Sequence, residues 1–136
     1  MDDNAYKPSF GVGLRRISSL FLLFAIGGLL PGPLRNAIES WLGLPFSVPP
    51  VAHFVLFVAM AFCLPWAWPR LQMIGTLTIM LVLGAVVELL QEWIPGRTPS
   101  LNDFLLDSLG AGLGFLGYLL LIKKQQKAAV SFNKEN

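Results

Sequence analysis

The sequence predicts an all-α membrane protein, a four-transmembrane-helix bundle with a short interfacial helix in its first outer loop. Three observations predict it. The 136 residues are 54% hydrophobic and only 13% charged, whereas an ordinary soluble domain is about one quarter charged. Four segments approach the roughly 20 apolar residues that a helix needs to cross hydrocarbon. The basic residues crowd towards the chain ends, so the net charge of +2 says less than its distribution. A nucleic-acid binder would instead need basic residues on one continuous face.

The first span is predicted over residues 13–30, with Arg15 and Arg16 reaching back to the headgroups. No small-residue cleavage site precedes Pro31-Gly32-Pro33, so this segment reads as an uncleaved span and not as a signal peptide. Pro33 suits the first position of a helix. Beyond it Leu34, Ala37, Ile38, Trp41 and Leu42 recur at the spacing of one apolar stripe, with Arg35, Asn36, Glu39 and Ser40 on the other face. Gly43 and Pro45 end that helix, which is expected to lie on the outer leaflet. The second span covers 51–68, and Pro65 is expected to kink its last turn. The third covers 71–94 and the fourth 103–122. The chain thus divides into a tail (1–12), a membrane domain (13–122) and a basic tail (123–136). Cys63 lies in an apolar run with no second cysteine to pair with.

Orientation follows from the flanking charges. Lys7, Arg15, Arg16, Arg70, Lys123, Lys124, Lys127 and Lys134 fall on one side, and only Arg35 and Arg97 on the other. Positive flanks stay inside, which makes both termini cytoplasmic. Trp66 and Trp68 then mark the inner interface, and Trp41 and Trp93 the outer one.

The polar residues of the spans gather at the outer face. His53 opens the second span. Glu88 lies about 9 Å below the outer end of the third by helical rise, with Gln91 and Glu92 on the same side. Asp103 and Asp107 begin the fourth, and Arg97 sits in the connection between them. Ionisable groups in a bilayer cost several kcal/mol or more by most estimates, so Glu88 and Asp107 are expected to face the interior with partners such as His53 or Arg97. Simple interhelical bonding is the competing explanation. It suits Glu92 near the surface. It also suits Asp103, because Ser100-Leu101-Asn102-Asp103 resembles a capping box. Glu88 is too deep to be a cap, and its position favours a functional role.

Three chemistries fit this gathering. A carboxylate beside His53 would support proton transfer. His with Glu and Asp would suit a divalent metal, but there is one histidine and no HExxH spacing, so neither metal nor cofactor is expected. Arg97 with the start of the fourth helix would hold a phosphate or carboxylate. Below these groups Gly110, Gly114 and Gly117 continue the stripe of Asp103 and Asp107, and small residues at that spacing let helices approach closely.

His53-Phe54, Glu88 with Gln91, Pro95-Gly96-Arg97, Ser100, Asp103, Gly110 and Gly114 together resemble the signature of the VanZ-like membrane proteins. That family is named for an accessory factor in bacterial resistance to the glycopeptide teicoplanin. The similarity runs over about residues 17–122. Two positions depart from it: Val48-Pro49-Pro50-Val51-Ala52 replaces an acidic-basic pair before His-Phe, and Asp107 stands where asparagine is expected. The resemblance implies four spans and a connection to the bacterial envelope. It supplies no reaction.

The leading expectation is a protein that binds or modifies an anionic lipid or lipid-linked cell-wall intermediate at the outer leaflet. In it His53, Glu88 and Asp107 carry any catalysis, and Gln91, Arg97, Ser100 and Asp103 bind the ligand. A non-enzymatic accessory that docks partner proteins through the glycine stripe or the Leu34–Leu42 surface is the second reading. Proton-coupled export of small molecules is the third, weakened by the lack of a polar path through the inner half. Membrane lipids are the expected partners, with no nucleic acid. Four helices leave little room for a closed cavity, which keeps a homodimer open.

Overall fold

A computed structural model describes residues 10–43 and 48–135. Lys7, Pro45 and most of the 1–12 tail lie outside the described residues. Within them, all regular structure is helical. The chain runs through α1 (Phe10–Gly28), α2 (Gly32–Leu42), α3 (Val48–Ala67), α4 (Met73–Gln91) and α5 (Leu101–Glu135). Three of these, α3, α4 and α5, are long and apolar enough to cross a membrane, and a fourth crossing results if α1 and α2 count as one bent span. Between 28% and 39% of the residues in each of the three are buried. Leucines such as Leu81, Leu89, Leu109 and Leu113 remain exposed on the bundle surface. Bilayer hydrocarbon is the solvent that covers such a surface without penalty.

Each element ends where its sequence requires. After α1 the axis turns by 100° into α2, and Pro33 falls in the first turn, where no intrahelical donor is needed. Gly43 closes α2 in the left-handed conformation at φ 59° and donates its N–H to the Glu39 carbonyl. Pro65 is inside α3, which continues past it to Ala67. The third predicted span is shorter than expected, because α4 stops at Gln91 and residues 92–94 form turns. Glu88 therefore lies in the last turn of its helix. The fourth is longer, since the basic segment 123–135 continues α5 without a break. From Leu101 to Ile122 that helix rises roughly 33 Å at 1.5 Å per residue, close to the ~30 Å of hydrocarbon. Lys123 and Lys124 begin where the apolar slab would end.

The centre of the bundle is α3, which packs chiefly against α5 and then α1, while α4 leans on α5. Phe24, Phe57, Met60, Leu64, Met80 and Ala111 form the buried core. Phe24 meets Phe57 edge to face at 5.0 Å between ring centres, a geometry that aromatic quadrupoles favour. The glycine stripe faces α3. A Cβ on Gly110 would come within 2.7 Å of the Phe54 carbonyl, and one on Gly114 would run into the Val58 carbonyl. Gly117 is looser, with only ordinary contact to Phe62. Gly110 and Gly114 let α3 and α5 approach closely and present no free face to another protein. Gly114→Leu is accordingly expected to cost at least the ~1–3 kcal/mol typical of overpacking, seen as a lower unfolding midpoint in detergent. A stable, monodisperse variant would show that α3 and α5 separate easily.

Candidate functional site

Six polar or charged side chains are buried among the described residues: His53, Thr76, Glu88, Gln91, Arg97 and Asp107. Thr76 lies about 18 Å from Glu88 along α4, by helical rise. The other five gather at the opposite end, where α1 stops, α3 starts, α4 stops and α5 starts.

Two of them hold backbone. The carbonyl of Gly28, the last residue of α1, has no helical partner of its own. Gln91 Nε2 donates to it at 3.0 Å and Arg97 Nη2 at 3.2 Å. The Gly32 N–H donates to the Pro95 carbonyl at 3.0 Å, and a Cβ at Gly32 would strike the Gly96 carbonyl. Gly96 itself has φ 72°, which favours glycine. The segment between α4 and α5 therefore clamps the bend between α1 and α2. Burial is the main influence lowering the Arg97 guanidinium from its ordinary value. Neighbouring Arg35 acts in the same direction, and Asp103, Glu88 and Glu39 oppose it.

Glu88 also holds backbone, contrary to the expectation that it lies too deep for capping. Its Oε2 accepts the Ser100 N–H at 2.6 Å. Ser100 is the cap of α5, because its hydroxyl accepts the Asp103 N–H at 3.2 Å. In a capping box the acid three residues on returns the favour to the cap's own N–H. Here a carboxylate from another helix takes that place, and Asp103 is left half-exposed.

The remaining groups converge. His53 Nδ1 lies 3.5 Å from Asp107 Oδ2. One ligand atom from each of His53, Glu88 and Asp107 lies within 4.8 Å of the other two. All three residues are at least nine-tenths buried. Both His53 nitrogens, Glu88 Oε1 and Asp107 Oδ1 have no hydrogen-bond partner among the described residues. Phe24 packs edge to face on the imidazole at 5.1 Å. The cluster is thus walled by an aromatic ring, held on three different helices, and anchored through the second oxygen of Glu88.

A family model described as VanZ/LLP1 matches residues 11–122, well over half of the chain. The chain belongs to the VanZ/LLP1 family. No curated protein and no solved structure matches it. Membership and the apolar helices together make it a multi-pass VanZ-like membrane protein. The matched region contains every element that builds the buried cluster.

Beside the cluster lies a cleft of about 130 Å³ between α1, α2 and α3. Phe24, Leu30, Ile38 and Leu56 give it apolar walls, and Arg35, Glu39 and His53 supply its polar groups. Arg35 bonds only weakly to Asn36, at 3.3 Å, and Glu39 accepts the Val48 N–H at 3.2 Å. Sequence reading placed Arg35 and Glu39 on the outward polar face of the short helix. Both are half-buried towards the cleft, whereas Asn36 and Ser40 are exposed. Periodicity shows which residues of this helix share a face but not which face meets the bundle, so it does not mark Arg35 as a ligand group.

Proposed function

We propose that this VanZ-like protein binds, and presents for modification, an anionic lipid or lipid-linked cell-wall component at the outer leaflet. The observation that carries this is the apolar cleft with Arg35 on its wall and the His53 cluster at its end. An acyl or isoprenoid chain suits the walls, and a phosphate or carboxylate suits a guanidinium. Gln91 and Arg97 act on such a ligand by fixing the turn that shapes the cleft. Ser100 and Asp103 fix the start of α5.

Membership of the VanZ/LLP1 family supports a bacterial inner membrane, and the eight-to-two charge bias supports cytoplasmic termini. That orientation puts the cluster on the outer side. In the same reading α2 lies along the outer interface. Its stripe of Leu34, Ile38, Trp41 and Leu42 is exposed, as a helix dipping into headgroups requires. A role in glycopeptide resistance would follow if the bound component were a cell-wall precursor.

The accessory-protein reading retains the α2 stripe as its docking surface but loses Gly110 and Gly114, which α3 covers. Proton-coupled transport is disfavoured because Thr76 is the sole buried polar side chain of the other half among the described residues. Native mass spectrometry of the protein in mild detergent tests the leading reading. An anionic lipid should remain bound to the wild type, and Arg35→Ala should lower the retained fraction by at least tenfold. Retention of only zwitterionic lipids, or equal retention in the variant, would refute it.

A further inference from the structure

We propose that His53, Glu88 and Asp107 form a binding site for a divalent transition-metal ion. This inference goes beyond the lipid reading and does not depend on it. It starts from the unmet polar atoms. Both imidazole nitrogens, Glu88 Oε1 and Asp107 Oδ1 are buried without hydrogen-bond partners among the described residues. Such atoms are expensive to bury unless something satisfies them.

A shared proton is the simplest candidate, and it serves only part of the set. A proton joins two heteroatoms, at about 2.7–3.2 Å for an N–H donor and an oxygen. The His53–Asp107 separation is 3.5 Å, and a proton there would leave Glu88 Oε1 unserved. A dication serves three ligands at once. With metal–ligand bonds of about 2.1 Å, tetrahedral ligand atoms stand roughly 3.4 Å apart, close to the His53–Asp107 spacing. The set's outer limit of 4.8 Å closes to that value with side-chain movements of about 1 Å. Two carboxylates in an apolar bundle also repel each other, and a dication neutralises both.

The donor set narrows the ion. One imidazole and two carboxylates, with no thiolate, suit zinc, manganese or ferrous iron, and the imidazole disfavours magnesium and calcium. Three protein ligands would leave a coordination position for water or a ligand oxygen, the arrangement of catalytic and not structural zinc sites. The second oxygen of Glu88, fixed by the Ser100 N–H at 2.6 Å, orients the carboxylate as outer partners of metal ligands do. Bound there, an ion would polarise a phosphoryl or carbonyl oxygen delivered through the neighbouring cleft. Linear spacing could not disclose this site, because its three ligands come from three helices.

The test uses the full chain purified in mild detergent. The protein is stripped with a chelator, then titrated separately with Zn²⁺, Mn²⁺ and Mg²⁺ while metal content and unfolding temperature are measured. The wild type should take up one equivalent of Zn²⁺ or Mn²⁺ and unfold at a higher temperature when loaded, with little response to Mg²⁺. Asp107→Asn and Glu88→Gln keep side-chain volume, and each should weaken binding by at least 100-fold. Loss of an outer partner already costs 10- to 100-fold. If the wild type takes up no stoichiometric transition metal, or if both variants bind as tightly as it does, the site does not exist. Should the variants fail to fold, the wild type decides alone: an unfolding temperature that neither chelation nor reloading changes also overturns the proposal.

Discussion

Glu88→Ala is expected to destabilise the bundle by about 2–3 kcal/mol, and Glu88→Gln by less than half as much. The reason is the bond from the Ser100 N–H to Glu88 Oε2. A hydrogen bond to a charged group contributes roughly 1.5–3 kcal/mol net, and this one joins the end of α4 to the start of α5. Glutamine keeps a carbonyl oxygen at the same reach, so the N–H stays satisfied although the charge is gone. Ser100→Ala provides the internal comparison. It removes the hydroxyl that accepts the Asp103 N–H but leaves the bond to Glu88, so it should cost about 1 kcal/mol, as an ordinary helix cap does. Unfolding curves in a common detergent should therefore show Glu88→Ala as the least stable of the three, with Ser100→Ala and Glu88→Gln both clearly above it. If glutamine proved as damaging as alanine, the negative charge itself would be holding the fold together, and the capping account would be wrong.

The same residue shows how far the sequence could be read. Its burial was legible, because an acid between Val87 and Leu89 in an apolar helix must face inward. Its capping role was not. That role depends on where α4 stops, and hydropathy extends the span through Trp93 and Ile94, which follow the helix as turns. A helix end is set by local bonding that a hydropathy window averages away. The gathering at one end was legible too, since antiparallel neighbours bring the start of one span beside the end of the last. The assignment of partners was not. Arg97 reads as an anion holder from composition and loop position, yet one of its nitrogens is bonded to the Gly28 carbonyl. Backbone acceptors at helix ends are common to every sequence and leave no mark in any one of them. The glycine stripe is different. Spacing predicted close approach, and α3 makes that approach at Gly110 and Gly114. Small residues carry this information on their own, whichever helix comes to meet them.

Gln91→Ala and Arg97→Ala together are expected to cost more than the sum of the two changes made separately. Both side chains donate to one acceptor, the Gly28 carbonyl. Either single change leaves the other donor in place, so the carbonyl stays paired and each costs about 1–2 kcal/mol for the lost bond and contacts. With both removed, a buried carbonyl has no side-chain donor. Leaving such a group unsatisfied adds a further ~1–3 kcal/mol, and this surplus is the coupling that a double-mutant cycle measures. The consequence is local in structure as well as energy. The Gly28 carbonyl stands at the bend of 100° between α1 and α2, and Gly28 also lines the cleft. The double variant should therefore lose protection of the backbone amides of α2 in hydrogen exchange while α3 and α5 keep theirs. Strict additivity would mean that water or another donor reaches the carbonyl once either side chain is gone. Loss of protection throughout the bundle would mean that α2 is integral to the core and is not clamped onto it by Gln91 and Arg97.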